Sequence, residues 1–285
     1  MLLAQILVNG ILLGGLYGLM ALGMALVWGV LNVVNLAHGA FIMLGGYIVY
    51  YLFTDLGIDP FAALPIAALG MFVFGYILQR FILNLIIRSE MLNTLLITFG
   101  LDVVITYLAQ LVFSADFRTI NPSYSGANIV VLGITVPLIR LAAFVIAFVL
   151  AGAVWWVLNK ISLGRAIRAT AQNLTAARLY GVDPRSIYAI TFGIGAALAG
   201  VAGGLFGTLT HLTPYVGASL TAKSFVIAII GGLTNPFYVI FGGLVVGIAE
   251  SLASLYFGPT YSDVISFGLL VVVLVVRPAR SLRAA

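Results

Sequence analysis

The sequence predicts an all-α fold, a polytopic membrane helix bundle whose residues 1–285 form one integral domain. Two features of its composition predict this class. Of the 285 residues, 63% are hydrophobic and only 7% are charged, against about 25% charged in soluble domains. So few charges cannot cover the surface of a soluble fold, which argues against a soluble enzyme. At roughly 30 residues for each span with its loop, the length allows about eight or nine spans.

The hydrophobic residues are gathered into long runs. These fall near 4–27, 36–54, 61–83, 93–113, 137–159, 187–207, 223–257 and 260–276. Every backbone amide in hydrocarbon must find a partner within the protein, so we expect the runs to be helices. The run 223–257 is too long for one straight helix and too short for two ordinary spans. It contains Gly231, Gly232, Asn235 and Pro236, which predict a broken or re-entrant element.

The basic residues predict which side of the membrane each loop faces, because short cytoplasmic loops carry an excess of Lys and Arg. Ten of the thirteen basic residues fall in three regions, which we therefore place in the cytoplasm. They are Arg80 and Arg88; Lys160, Arg165, Arg168, Arg178 and Arg185; and Arg277, Arg280 and Arg283. Alternation from these regions places the C-terminus in the cytoplasm. It places the N-terminus outside, together with a polar loop at 114–136.

Two glycine-rich patterns recur along the chain. Residues 14–18 (Gly-Gly-Leu-Tyr-Gly) resemble residues 203–207 (Gly-Gly-Leu-Phe-Gly). A second set recurs with similar spacing, namely Leu36, Gly45, Gly46 and Val49 against Leu233, Gly242, Gly243 and Val246. Such patterns are expected of transporters built from an internal structural repeat. The alternative is chance, because small residues are common wherever membrane helices pack closely.

The basic segment 160–186 is predicted to be a compact helix–turn–helix. Asn173 is placed to cap a short helix, and Gly181 is placed to end that helix in the left-handed conformation. Asp183 then caps a second helix, which has Pro184 in its first turn and continues into the sixth apolar run.

Two interpretations of this segment remain open. In the first, the small residues Ala176 and Ala177 give a surface that another protein can approach closely. A loop that only connects two spans needs just a few residues, so the greater length of this segment favours a role in binding another protein. In the second interpretation, the segment is a solvated loop whose arginines merely fix the topology.

Residues 175–181 (Thr-Ala-Ala-Arg-Leu-Tyr-Gly) resemble a known motif. They are similar to the Glu-Ala-Ala-x-x-x-Gly loop of ABC-importer permeases, which in that family docks onto the ATPase subunits. Thr175 stands where that loop usually has a glutamate. The resemblance implies an ATPase-coupling role for Asn173, Thr175, Ala176, Ala177, Arg178 and Gly181.

Further segments resemble the H-type subunit of the branched-chain amino-acid permeases. They are residues 32–39 (Asn-Val-Val-Asn-Leu-Ala-His-Gly), 98–100 (Thr-Phe-Gly), 231–233 (Gly-Gly-Leu), 242–243 (Gly-Gly) and 277–278 (Arg-Pro), in the family's order. The resemblance implies a permease subunit of an ATP-driven importer in the bacterial inner membrane. The expected substrate is a branched-chain or related amino acid.

The resemblance also implies partners. They are a second homologous permease subunit, two cytoplasmic ABC ATPase subunits, an external substrate-binding protein and the amino-acid substrate. The sequence contains no GxxxxGK[ST] phosphate loop, so we expect ATP and Mg on the ATPases and no cofactor on this chain. We expect contact with membrane lipid and none with nucleic acid, because no basic stripe alternates with aromatics. His38 and His211 lie far apart and cysteine is absent, so no metal site is expected.

Polar residues at the breaks of the apolar runs are candidates for lining a translocation path. Backbone carbonyls that a broken helix leaves free are tolerated at membrane depth where they line a polar cavity. The alternative is that the same side chains are hydrogen-bonded contacts between helices. The candidates are Asn32, Asn35, His38, Thr98, Gly231, Gly232 and Asn235.

Asp102 and Glu250 are the carboxylates that lie well inside predicted spans. A charge at this depth is costly, which makes a functional role the first hypothesis. The alternative to an importer is therefore an ion- or proton-coupled secondary carrier that uses Asp102 or Glu250. A buried pair or a subunit contact is a further interpretation, with a partner from another segment or chain. Lys223 and Arg140 are expected to extend to the membrane interface.

Overall fold

The computed structural model describes residues 1–85, 91–258 and 261–276. Within these ranges the chain forms eleven α-helices, one 3-10 turn at Leu83–Leu85 and one β-hairpin. The helices are α1 Leu2–Leu31, α2 His38–Thr54, α3 Pro60–Phe81, α4 Met91–Phe113, α5 Leu138–Lys160, α6 Ser162–Gln172, α7 Leu174–Leu179, α8 Pro184–Leu209, α9 Val216–Gly231, α10 Pro236–Phe257 and α11 Ser262–Val276. Arg88, Arg277, Pro278, Arg280 and Arg283, on which the sequence predictions partly rest, lie outside the described residues.

The helices confirm the prediction of an all-α membrane bundle. Six of them are apolar and long enough to cross a bilayer, namely Leu2–Leu31, Pro60–Leu85, Leu92–Phe113, Leu138–Lys160, Pro184–Leu209 and Pro236–Phe257. Three shorter apolar helices accompany them, namely His38–Thr54, Val216–Gly231 and Val264–Val275. The number of spans, eight or nine, stays a prediction because it depends on the shorter helices.

The segment 114–136 contains structure that the sequence analysis did not predict. Strand β1, Asn128–Val131, pairs antiparallel with β2, Ile134–Pro137. Leu132 and Gly133 form the turn with φ of 52° and 79°, and positive φ at both positions is what a two-residue hairpin needs. The β-branched residues on either side of Leu132–Gly133 were the signal for this hairpin.

Glycines allow the long helices to pack with their backbones in contact. A Cβ atom added at Gly10, Gly14 or Gly18 would come within 2.9, 2.7 or 2.8 Å of a Cα atom in α10. These positions lie four residues apart and so share one face of α1. A Cβ atom added at Gly200 of α8 would come within 2.8 Å of the Met71 side chain and 3.2 Å of the Ala67 carbonyl oxygen, both in α3. Helices α1 and α8, buried along most of their length, therefore form the centre of the bundle.

An irregular segment, residues 32–37, joins α1 to α2 and runs back along α1. Asn32 ends α1 in the left-handed region, with φ of 54°. Six residues later, His38 Nε2 lies 2.8 Å from the carbonyl oxygen of Met20. Met20 is about 16 Å from the end of α1 at 1.5 Å per residue. Helix α2 therefore begins inside the bundle.

The predicted break in the run 223–257 is confirmed. Gly232 has φ of 85° at the end of α9, and Asn235 caps α10 by accepting a hydrogen bond of 3.0 Å from the Phe237 amide. Helix α9 begins at Val216, seven residues before the predicted run. Polar residues in its first two turns interrupt the apolar pattern, which is why the sequence analysis missed this start.

The first turns of α2 and α9 touch. The Gly39 amide donates a hydrogen bond of 2.8 Å to Thr221 Oγ1, and this hydroxyl donates one of 3.1 Å to the Leu36 carbonyl oxygen. From this contact the two helices run to opposite ends of the molecule. Helix α2 ends near Phe113, whereas α9 ends against the start of α10.

The internal repeat stays a prediction. Helices α2 and α9 are the short helices that follow the long helices α1 and α8, which fits such a repeat. The second glycine pattern, however, matches residues of α2 to residues of α10, which is not the helix that follows α8.

The loops separate into two groups at opposite ends of the bundle. Gln5 Nε2 donates a hydrogen bond of 2.7 Å to the Thr135 carbonyl, and the Tyr124 hydroxyl donates one of 2.6 Å to Asp59. The N-terminal end thus holds Met1 and the loops 55–59, 114–137 and 210–215. The segment 160–183 lies at the opposite end. This grouping agrees with the predicted alternation, whereas the side that faces the cytoplasm stays a prediction.

Candidate functional site

Helix α7 is the short helix at the tip of the segment 160–183. Asn173 caps its first turn, since its Oδ1 accepts a hydrogen bond of 2.9 Å from the Ala176 amide. Gly181 ends it with φ of 81°. The amides of Gly181 and Val182 donate to the carbonyls of Arg178 and Ala177 at 3.0 and 3.1 Å. This pair of bonds is the Schellman motif, which requires a left-handed residue at the position of Gly181.

Asp183 ties this turn to the start of α8. Its carboxylate accepts hydrogen bonds from the Ser186 hydroxyl at 2.7 Å and from the amides of Arg185 and Ser186 at 3.1 and 3.3 Å. Arg80 of α3 lies 3.8 Å away. The Ser186 hydroxyl, the two amides and Arg80 lower the pKa of Asp183 below its ordinary value. The carboxylate cap that the sequence predicts is therefore present.

The exposed surface of α7 differs from the predicted one. Ala177 is only 3% exposed, so it packs inward and offers no surface to a partner. Leu179 and Tyr180 are instead 84% and 89% exposed. The sequence analysis missed these two residues. The sequence feature that indicates them is a pair of large apolar side chains just before a helix-ending glycine in a polar loop.

A cavity of about 770 Å³ opens at the same end of the molecule as α7. Three of the predicted path residues line it, namely Asn32, Gly232 and Asn235. Arg168 and Gln172 of α6 line it as well. Helix α6 is joined to α7 through Asn173 alone, so the wall of this cavity is separated from α7 by a single residue of the chain.

Arg168 fastens α6 to the end of α5. Its Nη1 donates hydrogen bonds to the Leu158 carbonyl at 2.5 Å and to Asn159 Oδ1 at 2.6 Å. All three residues line the cavity. The positive charge of Arg168 is therefore held at the cavity wall, although its bonds to α5 occupy part of its donor capacity.

The other four path candidates lie away from the cavity. Asn35 is 2% exposed, and its Oδ1 accepts a hydrogen bond of 3.1 Å from the Ala37 amide. His38 is bonded to α1, as described, and Thr98 donates to the Leu95 carbonyl at 3.1 Å and to the Val34 carbonyl at 3.4 Å. Gly231 packs against α10. The bonds of His38 and Thr98 fit the interpretation of these side chains as links between helices, whereas the Asn35 bond stays within the segment 32–37.

Glu250 has a partner from another helix, as the sequence analysis requires. Lys223 Nζ of α9 lies 2.8 Å from Glu250 Oε1, and the Ser266 hydroxyl donates a hydrogen bond of 2.5 Å to the same oxygen. The Lys223 ammonium also donates to the Tyr17 hydroxyl at 3.2 Å. The prediction that Lys223 extends to the membrane interface is wrong, because its side chain is only 14% exposed and ion-paired inside the bundle.

Arg140 and Asp102 are two further charged residues that the sequence predicts at or within spans. Arg140 Nη1 donates a hydrogen bond of 3.3 Å to Asn9 Oδ1. Asp102 is half-buried, and its Oδ1 has no hydrogen-bond partner among the residues that the structure describes. Across residues 1–85, 91–258 and 261–276, no three His, Asp or Glu side chains come together as a metal site needs.

Comparison with known proteins places the chain among transport proteins. Residues 6–274 match the family model described as branched-chain amino acid transport system / permease component. The chain is 32% identical to the high-affinity branched-chain amino acid transport system permease protein BraD of Pseudomonas aeruginosa, over 96% of this chain and 94% of that protein. It is 31% identical to LivH of Escherichia coli, over 95% and 92% of the two chains.

A second type of permease is also similar. LivM of Escherichia coli is 27% identical over 92% of this chain and 67% of its own length. No solved structure matches the chain.

Proposed function

Because this chain belongs to the family of branched-chain amino acid transport system permease components, we propose that it forms the translocation path of an ATP-driven (ABC) importer. The observation that carries this proposal is the family match over residues 6–274. The proposed substrate is a branched-chain or related amino acid, which is the substrate named for BraD and LivH. The chain is a transport subunit, as its relatives are, and carries out no covalent chemistry.

The proposed assembly contains four other kinds of component. Relatives of two types, LivH and LivM, carry the name of the same transport system, which supports a second homologous permease as partner. Two cytoplasmic ATPase subunits supply the energy and bind ATP and Mg. An external binding protein delivers the amino acid, and lipid surrounds the bundle.

In this proposal α7 receives the movement of the ATPases. Leu179 and Tyr180 form its exposed apolar contact. The caps at Asn173, Gly181 and Asp183 fix α7 to α6 and α8, so a push on α7 displaces these helices as a unit. The predicted coupling residues Thr175, Ala176 and Arg178 lie on the same helix, whereas Ala177 packs on its inner side.

Movement of α6 and α8 then changes access to the path. Helix α6 carries Arg168 and Gln172 on the cavity wall. Helix α8 packs against α1, α2 and α3, and so reaches the place where α2 begins inside the bundle. Alternating access follows if the 770 Å³ cavity and the buried segment 32–37 open at different stages of the ATP cycle.

The proposed location is the bacterial inner membrane, with the end that carries α7 in the cytoplasm. The sequence has no cysteine, so single cysteines report the topology without background. A cysteine at Ser125 should react with an impermeant maleimide added to intact spheroplasts, whereas one at Ser162 should react only after lysis. The reverse pattern would overturn this orientation.

The experiment that tests the function uses the assembled transporter in proteoliposomes. ATP is enclosed with the ATPases, and the binding protein with labelled leucine is added outside. We expect uptake that requires ATP and that survives a protonophore. Uptake that follows a proton gradient without ATP would instead support the alternative, a secondary carrier that uses Asp102 or Glu250.

A further inference from the structure

The irregular segment 32–37 carries backbone groups that lack partners at membrane depth. Residues 33–35 are at most 7% exposed. Within the part of the chain that the structure describes, the amides of residues 33–36 make no hydrogen bond. Buried backbone amides are rarely unpaired in native proteins. Irregular backbone at this depth is tolerated where it is enclosed by protein or lines a polar cavity.

Helices α4 and α9 each bind this segment through a threonine. Thr98 of α4 donates a hydrogen bond to the Val34 carbonyl. Thr221 of α9 donates one to the Leu36 carbonyl. The segment is thus held between two helices by its carbonyl groups, while its amides stay available.

Each of the two helices also carries an unpartnered buried polar atom next to its threonine. Asp102 follows Thr98 by one turn, on the face of α4 that also buries Ile105 and Ala109. Its Oδ1 is buried and has no partner among the described residues. On α9, Ser224 follows Thr221 by one turn and is fully buried, and its hydroxyl is likewise unpartnered within the described ranges.

We propose that Asp102, the amides of residues 33–36 and Ser224 bind the charged headgroup of the transported amino acid. This inference rests on the proposed function. An amino-acid zwitterion needs an anionic group for its ammonium and hydrogen-bond donors for its carboxylate. The Asp102 carboxylate supplies the first, and the free amides supply the second. A zwitterion therefore satisfies these groups together, whereas neither an apolar solute nor a simple anion does.

Ser224 connects this headgroup site to the cavity. Ala228 lies one turn further along α9 and lines the 770 Å³ cavity, as does Asn32 at the start of the segment. Along α9, Ser224 therefore lies between Thr221, which binds the segment, and Ala228, which lines the cavity. Its hydroxyl donates to the carboxylate of the amino acid as the substrate leaves the amides for the cavity.

The test uses a single cysteine at position 224 in the assembled transporter, because the natural chain has none. The rate of modification of Ser224→Cys by a small methanethiosulfonate is measured with and without leucine. We expect leucine at about ten times its dissociation constant to slow modification about tenfold, because the bound amino acid shields the thiol in proportion to its occupancy of the site. Leucinamide and 4-methylpentanoate, which each lack one charge of the zwitterion, should protect far less. Ser219→Cys, exposed on the same helix, should be unaffected by any of them.

The variant Asp102→Asn tests whether the Asp102 carboxylate is needed to bind the amino acid. Added to Ser224→Cys, it should abolish protection by leucine, whereas Asp102→Glu should retain part of it and Asp55→Asn, at the exposed end of α2, should retain all of it. Size-exclusion chromatography checks that each complex is assembled.

Three labelling results would overturn the inference. They are equal modification with and without leucine, protection that persists in Asp102→Asn, and a cysteine at 224 that the reagent never reaches. Loss of the second permease from the Asp102→Asn complex would also overturn it, by placing Asp102 at a subunit contact. If the proposed function itself is wrong, a different result is expected: the transporter without substitutions would show no ATP-dependent amino-acid uptake.

Discussion

Gly39 and Gly217 meet where α2 and α9 begin, and an added Cβ atom would clash at the first position and be crowded at the second. A Cβ atom added at Gly39 would overlap the Gly217 carbonyl oxygen and come 2.5 Å from Thr221 Oγ1. One added at Gly217 would come 3.1 Å from the Ala40 amide nitrogen. Two short helices thus start backbone against backbone, and the absence of Cβ atoms permits this approach.

Gly39→Ala should therefore destabilise the protein. Forcing one methyl group into this contact must displace backbone, for which we expect a loss of about 1–3 kcal/mol in the free energy of unfolding. Thermal unfolding in detergent measures it. Gly152→Ala in α5 is the matched control, because no heavy atom lies within 4 Å of its added Cβ. Equal melting temperatures for the two variants would show that the contact between Gly39 and Gly217 does not exclude a methyl group.

Gly181→Val should impair coupling to the ATPases while leaving the folding of the chain intact. A β-branched residue at φ of 81° costs about 1–2 kcal/mol and weakens both bonds of the Schellman motif. Membrane insertion should stay normal, while co-purification of the ATPases and ATP-driven uptake decline. Gly126→Val, in open space with an ordinary φ, should change neither. Normal uptake by Gly181→Val would remove α7 from the proposed coupling role.

Leu179 and Tyr180 should supply the apolar contact with the ATPases. The double variant Leu179→Ala with Tyr180→Ala removes two exposed side chains without disturbing packing, so stability should be unchanged. We expect the affinity for the ATPases to fall at least about tenfold, as loss of two anchoring side chains at an interface does. Leu132→Ala, 89% exposed on the hairpin at the other end, is the control. An unchanged affinity would show that the ATPases bind elsewhere.

Lys223→Met should be strongly destabilising. It leaves the Glu250 carboxylate buried without its ammonium partner, a change that costs about 3–5 kcal/mol in buried pairs. Adding Glu250→Gln removes the uncompensated charge and should restore most of the lost stability. A double-mutant cycle on thermal unfolding measures the coupling. Purely additive effects would mean that the 2.8 Å contact between the two side chains contributes nothing.

The parts of the molecule that sequence reasoning predicted correctly depend on local signals. Asn173, Gly181 and Asp183 cap helices through groups at most five residues away, so their spacing alone carries the information. The break at Gly232 and Asn235 is local in the same sense. Hydrophobic composition predicted the membrane bundle because the apolar residues of each span are consecutive in the sequence.

The parts that it missed depend on contacts between distant residues. Lys223 and Glu250 lie on different helices, so nothing in either run indicates the ion pair. The meeting of Gly39 with Gly217 joins residues 178 positions apart and needs the whole bundle. The inward position of Ala177 depends on how α7 packs, which helix length alone does not determine.

The bond between His38 and Met20 has a consequence for how the chain enters the membrane during synthesis. Helix α2 has 17 residues and is about 26 Å long, shorter than the roughly 30 Å of hydrocarbon. Its own length cannot set its depth, so contacts with its neighbours must do so, and besides the bond to Met20 these are mainly with α8, α9 and α3. Helices α8 and α9 are synthesised after α2, so we expect α2 to reach the depth at which His38 meets Met20 only once both of them have entered the membrane.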